Sequence, residues 1–120
     1  MEENLSIDDK IRELAKRYTS LFEEAYHTVR SGRVKKYIFT PSRRILWIVV
    51  GRQRDYLILQ KANFCTCDDF FFRVLDHAKP MCYHILAVKI AELTNRYETV
   101  EESDSWYKRL LSEWLSSRKE

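Results

Sequence analysis

Cys65-Thr66-Cys67 and Cys82-Tyr83-His84 decide the reading of this chain: two pairs of soft metal ligands, separated by fourteen residues that contain no cysteine. Three thiolates and one imidazole make a complete tetrahedral donor set for zinc, with no position left for water. The spacing also dictates local structure. Ligands one residue apart point to opposite faces of a flat strand, so Cys65 and Cys67 converge on one ion only if the chain bends tightly at Thr66. Cys82 and His84 would lie about 200° apart on a regular helix. Cys82 must therefore stand at or before the first turn of the helix that carries His84. At such a helix start the free N–H groups favour a negative thiolate. One structural zinc ion held by Cys65, Cys67, Cys82 and His84 is the expectation, with His27 and His77 left as non-ligands.

The surrounding chain divides by hydrophobic period. Ile7, Ile11, Leu14, Ala15, Tyr18, Leu21, Phe22, Ala25, Tyr26 and Val29 recur at steps of three and four, the mark of an amphipathic helix. Ser6 or Asp8 caps it, Ser31-Gly32 ends it, and its stripe is expected to cover the sheet that follows. Val34 to Phe39, Ile45 to Val50 and Tyr56 to Gln60 are rich in β-branched and aromatic residues and are joined by short turns. They read as a three-stranded antiparallel meander. Asp68 or Asp69 is placed to cap a short helical turn through Phe70, Phe71, Phe72, Val74 and Leu75. Lys79-Pro80 then introduces a central helix from about Pro80 to Arg96, apolar around most of its circumference. Ser103 or Asp104 caps a last helix, Ser105 to Ser117, expected to pack on the first. Its wide aromatic arc makes Trp106 and Trp114 candidate partner-binding residues.

The fold class expected is α+β in a single domain, 1–120. An N-terminal helix (1–32) precedes the meander and a zinc-bound ββα-like core (33–97), and a C-terminal helix (98–120) follows. The 120 residues are enough to bury a sizeable core without relying on metal alone. An odd number of cysteines, all used by the site, argues against a disulfide framework and for a reducing, intracellular compartment. That is the cytoplasm in a prokaryote and the nucleus in a eukaryote. The longest apolar run, Ile45 to Val50, is too short to cross a bilayer, and no basic leader precedes an apolar segment.

The net charge of +3 hides an uneven distribution. Arg30, Arg33, Lys35, Lys36, Arg43, Arg44, Arg52 and Arg54 fall in a stretch with no Asp or Glu. Such a cluster attracts phosphates, and Tyr37, Trp47 or Tyr56 would stack on bases if exposed. Arg33, Lys35, Lys36, Arg43, Arg44, Arg52 and Arg54 are therefore the candidate nucleic-acid-binding residues. Arg43-Arg44 and Arg52/Arg54 lie in turns at opposite ends of the middle strand, which works against a single patch. The sequence contains no Walker-type glycine-rich loop, HExxH helix, Cys-x-x-Cys pair or zinc-deaminase signature, so an enzyme is not expected.

The segment CTCDDFFFRVLDHAKPMCYHILA carries Cys-x-Cys, a spacer and Cys-x-His, and it resembles the SWIM-type zinc finger. With YIFTPSRRILWIVVGRQRDYLILQKANF before it and VKI after it, the chain from about Tyr37 to Leu93 is similar to the small SWIM subunit of Shu-type complexes. That resemblance implies a non-catalytic accessory protein of homologous recombination and DNA repair. It would pair with a RecA-family recombinase paralogue, and the basic residues above are the footprint for contact with single-stranded DNA. It also singles out Ala87, three residues past the histidine, as a motif position where a methyl-sized side chain permits close helix packing. The alternative is an autonomous DNA-binding or transcription accessory zinc-finger protein.

Overall fold

The structure, a computed structural model, describes residues 6–52, 54–67 and 81–116. Helix α1 spans Ile7–Arg30. Ser6 caps it, its hydroxyl accepting the Asp9 N–H at 3.1 Å, while Asp8 and Asp9 meet the positive end of the helix dipole. The chain leaves the helix through Gly32 at φ 72, a left-handed conformation in which glycine is unstrained. Thr19 breaks the helical geometry midway (φ 46, ψ −114), so α1 is kinked.

Strands β1 (Val34–Thr40), β2 (Arg44–Val50) and β3 (Asp55–Leu59) form the expected antiparallel meander. The sheet is nevertheless larger than the meander. A two-residue strand, β4 (Phe64–Cys65), pairs antiparallel with β3, and β5 (Glu98–Ser103) pairs parallel with β1. The resulting order is β4-β3-β2-β1-β5. The segment expected to open the C-terminal helix, from residue 98, thus begins as a strand. Its sequence, ETVEES, shows no apolar alternation because β5 is an edge strand, mostly exposed.

Helix α2 spans Tyr83–Thr94 and ends at Asn95 in the left-handed conformation, short of the expected Arg96. His84 to Val88, Ile90 and Ala91 are all buried, as the apolar circumference required. Its burial has two sources. One side faces the sheet through Val34, Trp47, Val49 and Ile58, and α1 lies against it with Ala25 and Val29. The stripe of α1 therefore packs mainly along α2, and the expectation that it covers the sheet directly is corrected.

Helix α3 (Tyr107–Ser116), entered through a 3-10 turn at Asp104–Trp106, lies on the other face of the sheet. There Trp114 joins Phe39, Leu46, Ile48 and Leu57 in a second core. The expectation that this helix packs on α1 is thus overturned. The residues of β2 alternate between the two cores, Leu46 and Ile48 toward α3, Trp47 and Val49 toward α2. This explains why Ile45 to Val50 reads as an unbroken apolar run. The expected short helical turn from Asp68 or Asp69 through Phe70, Phe71, Phe72, Val74 and Leu75 lies outside the described residues. So do His77, Lys79-Pro80 and Ser117.

Candidate metal centre

The centre is assembled where β4 runs out and α2 begins. Cys65 ends β4 opposite Ile58 of β3. Thr66, buried, gives its N–H to the Leu57 carbonyl at 3.2 Å and takes the Leu57 N–H on its own hydroxyl at 3.1 Å. In a continued antiparallel ladder that Leu57 N–H would meet the Thr66 carbonyl. The hydroxyl takes its place, so the backbone is free to turn away from the sheet. This is the bend that lets Cys65 and Cys67 face the same point. On the other side, Cys82 is the N-cap of α2 in extended conformation (φ −85, ψ 159), and His84 is two residues further on, inside the first turn.

One ligand atom from each of Cys65, Cys67, Cys82 and His84 falls within 4.8 Å of all the others. The edges of a tetrahedron with metal–sulfur bonds of about 2.3 Å are roughly 3.8 Å, so only a small contraction separates this arrangement from ligation. All four residues are buried, and none of the three cysteines is in a disulfide. The His84 ring packs against Tyr56, 4.3 Å between centroids, and Tyr83, 4.0 Å, each tilted by 32°. Its Nδ1 is buried without a hydrogen-bond partner among the described residues, a cost that a binding role would remove.

The thiols compete for one negative charge. Hydrogen bonds from Cys65 and Cys82 hold Cys67 far below the ordinary thiol range, with His84 adding to the effect against the pull of burial. Cys65 is driven well above that range by its hydrogen bonds to Cys67 and Cys82 and by burial. For Cys82 the contact with Cys65 acts downward, but the contact with Cys67 and burial prevail, and it is pushed up to about 12. Three thiols buried side by side repel one another's charge and cannot all ionise without a cation. A divalent ion supplies it and lets all three ionise. The cluster is consistent with one zinc ion, and four protein ligands leave no open position of the kind a catalytic zinc keeps.

Ala87 is fully buried one turn beyond His84. The candidate basic residues do not form one surface. Arg33 is turned inward, its Nη2 donating to Thr28 Oγ1 at 3.2 Å. Lys35 pairs with Glu98 at 3.7 Å, and Lys36 is directed to the opposite sheet face, above Trp47 and Tyr97. Arg43 and Arg44 sit at the β1–β2 turn, Arg52 and Arg54 at the β2–β3 turn, with Arg54 stacked on Tyr56. Of the two tryptophans, Trp106 is 44% exposed and Trp114 is core, edge-on to Tyr37. Trp114 is therefore not available as a contact surface. Sequence reasoning did not single out Tyr56 and Tyr83 as walls for His84, nor Lys61 beside the Arg43 turn. Only the adjacency of Tyr83 to the ligand hinted at the first.

No family model matches the chain, and no solved structure matches it. Curated proteins do. Over 76 residues, 62% of this chain and 49% of the relative, it is 33% identical to the Zinc finger SWIM domain-containing protein 7 homolog of Dictyostelium discoideum. Zinc finger SWIM domain-containing protein 7 of Mus musculus is 31% identical over 78 residues, 63% of this chain and 51% of that protein. The chain is a distant homologue of zinc finger SWIM domain-containing protein 7. An uncharacterized protein of Archaeoglobus fulgidus is 29% identical over 79 residues, 66% of this chain and 60% of the relative. The chain spans about half the length of the two SWIM proteins it matches. The buried Cys3His cluster is the feature a SWIM zinc finger requires, and here strand end and helix start deliver it.

Proposed function

We propose that this SWIM zinc-finger protein is a non-catalytic accessory factor of homologous recombination, which pairs with a RecA-family recombinase paralogue and contacts single-stranded DNA. The observation that carries the proposal is the closed, buried Cys65/Cys67/Cys82/His84 cluster in a chain related to zinc finger SWIM domain-containing protein 7. A complete ligand set of this kind contributes to folding and leaves no position for a substrate. Function then belongs to the surfaces it stabilises. Trp106, exposed at the start of α3 and flanked by Arg109 at 5.3 Å, has the aromatic-plus-arginine character of a partner contact.

The test is affinity purification of the tagged chain from its native organism. Stoichiometric recovery of a RecA-like ATPase, lost or weakened in Trp106→Ala with zinc content unchanged, is the expected result. Recovery of the chain alone, with DNA binding intact, would replace this reading with that of an autonomous DNA-binding protein.

A further inference from the structure

Under the last turn of α2, at the β1–β2 end of the sheet, a groove of about 480 Å³ is lined by Lys36, Arg43, Arg44, Ile45, Lys61 and Glu92. The four cations come from four places in the chain: β1, the β1–β2 turn, β2 and the 3-10 turn after β3. Only folding brings Lys61 to the others. Among the described residues no carboxylate forms an ion pair with any of the four. The Asp104 carboxylate, which reaches the same turn, is occupied by Ser42, accepting its N–H at 2.9 Å and its hydroxyl at 2.7 Å. The Glu92 carboxylate accepts from Gln60 Nε2 at 2.6 Å. Lys36 Nζ lies 5.5 Å from the Trp47 ring and 5.6 Å from Tyr97, whereas the Arg44 guanidinium lies 4.6 Å over Tyr107, on the α3 face of the sheet. Lys36 is thus positioned by rings and Arg43 by an anchored turn, and neither they nor Lys61 is ion-paired among the described residues.

We infer that this groove binds the backbone of single-stranded nucleic acid, with phosphates on Lys36, Arg43 and Lys61 and one base edge or face against Ile45. Guanidinium forks match phosphate oxygens, and Ile45, 47% exposed amid the cations, provides the apolar surface a base needs. A groove of this size holds a molecule on the scale of a nucleotide; it does not cradle a duplex. The inference rests on the proposed function in one respect: contact with single-stranded DNA selects a nucleotide over an acidic peptide. It departs from the sequence reading by adding Lys61 and by leaving out Arg33, Lys35, Arg44, Arg52 and Arg54.

The experiment is fluorescence anisotropy of labelled oligothymidylate with the full chain, over a range of salt. It compares Arg43→Glu/Lys61→Glu with a charge-matched control, Arg30→Glu/Arg52→Glu, each verified for zinc content. The groove variant is expected to bind at least about tenfold more weakly and to lose about 1.4 from the log–log salt slope, the value for two phosphate contacts on a single strand. The control should stay within about twofold of wild type. Equal weakening of both variants, or wild-type binding by the groove variant, overturns the groove and leaves DNA contact standing. Absence of binding by the wild type overturns both. Competition by polyglutamate as effective as that by unlabelled oligothymidylate would assign the groove to an acidic peptide and overturn the inference as well. Co-purification of a RecA-like partner is independent of all these outcomes.

Discussion

The Thr66 hydroxyl accepts the Leu57 N–H at 3.1 Å while the Thr66 N–H donates to the Leu57 carbonyl at 3.2 Å. One residue thus closes the last rung of the β3–β4 ladder and starts the bend that aims Cys65 and Cys67 at the same ion. Thr66→Val keeps the shape and removes the acceptor, leaving a buried N–H unpaired. The expected cost is about 1–3 kcal/mol, measured by urea denaturation of the zinc-bound protein, together with weaker zinc retention against a chelator. Unchanged stability and retention would mean that the bend does not depend on this hydroxyl.

Cys65→Ser and His84→Ala should each abolish stoichiometric zinc, read by elemental analysis of the purified protein. Chelation of the wild type should have the same direction of effect, a lower melting temperature and loss of protection around β4 and the start of α2. The reason is that binding free energy at a buried structural site contributes to folding free energy. X-ray absorption of the wild type should report three sulfurs and one nitrogen around zinc. An oxygen in that shell would contradict the closed site, and a fully folded metal-free wild type would contradict its structural role.

Gly51→Ala should disturb the metal centre without touching a ligand. A Cβ at Gly51 would stand 2.5 Å from the Arg54 carbonyl oxygen and 2.7 Å from Cε2 of Tyr56, and Tyr56 is the ring against which His84 rests. The backbone oxygen has little room to yield, so the overpacking should cost about 1–3 kcal/mol. Faster zinc release than in wild type would show that the shift reaches His84. Loss of stability with wild-type release would confine it to the turn.

Trp114→Ala should separate the two cores. Trp114 packs with Phe39, Leu46, Ile48 and Leu57 on the sheet face opposite α2, so its truncation should cost about 3–5 kcal/mol. Zinc stoichiometry should be retained in the folded fraction. Concurrent loss of zinc in that fraction would show that the second core is needed to hold the first in register.

The sequence by itself determined the features that depend on a residue and its near neighbours. The four ligands, the forced bend at Thr66, the position of Cys82 before the helix, a helix cap at Ser6 or Asp8 and the three-stranded meander are set by side-chain chemistry and by periods of 2 and 3.6 residues. Tertiary structure alone decided which surfaces meet. An amphipathic stripe states that a helix buries one side and does not name the partner. Hence α1 was expected over the sheet and lies mainly on α2, and α3 was expected on α1 and covers the far sheet face. The unbroken Ile45–Val50 run signalled two covered faces without saying what covers the second. The edge strand β5 escaped notice because a strand paired on one side, and largely exposed, needs no apolar alternation. Charge followed the same rule. Eight basic residues are visible in the sequence between Arg30 and Arg54, but only the fold shows that Lys35 pairs with Glu98 and that Arg33 turns inward. It also brings Lys61, from beyond the cluster, alongside Arg43 and Arg44.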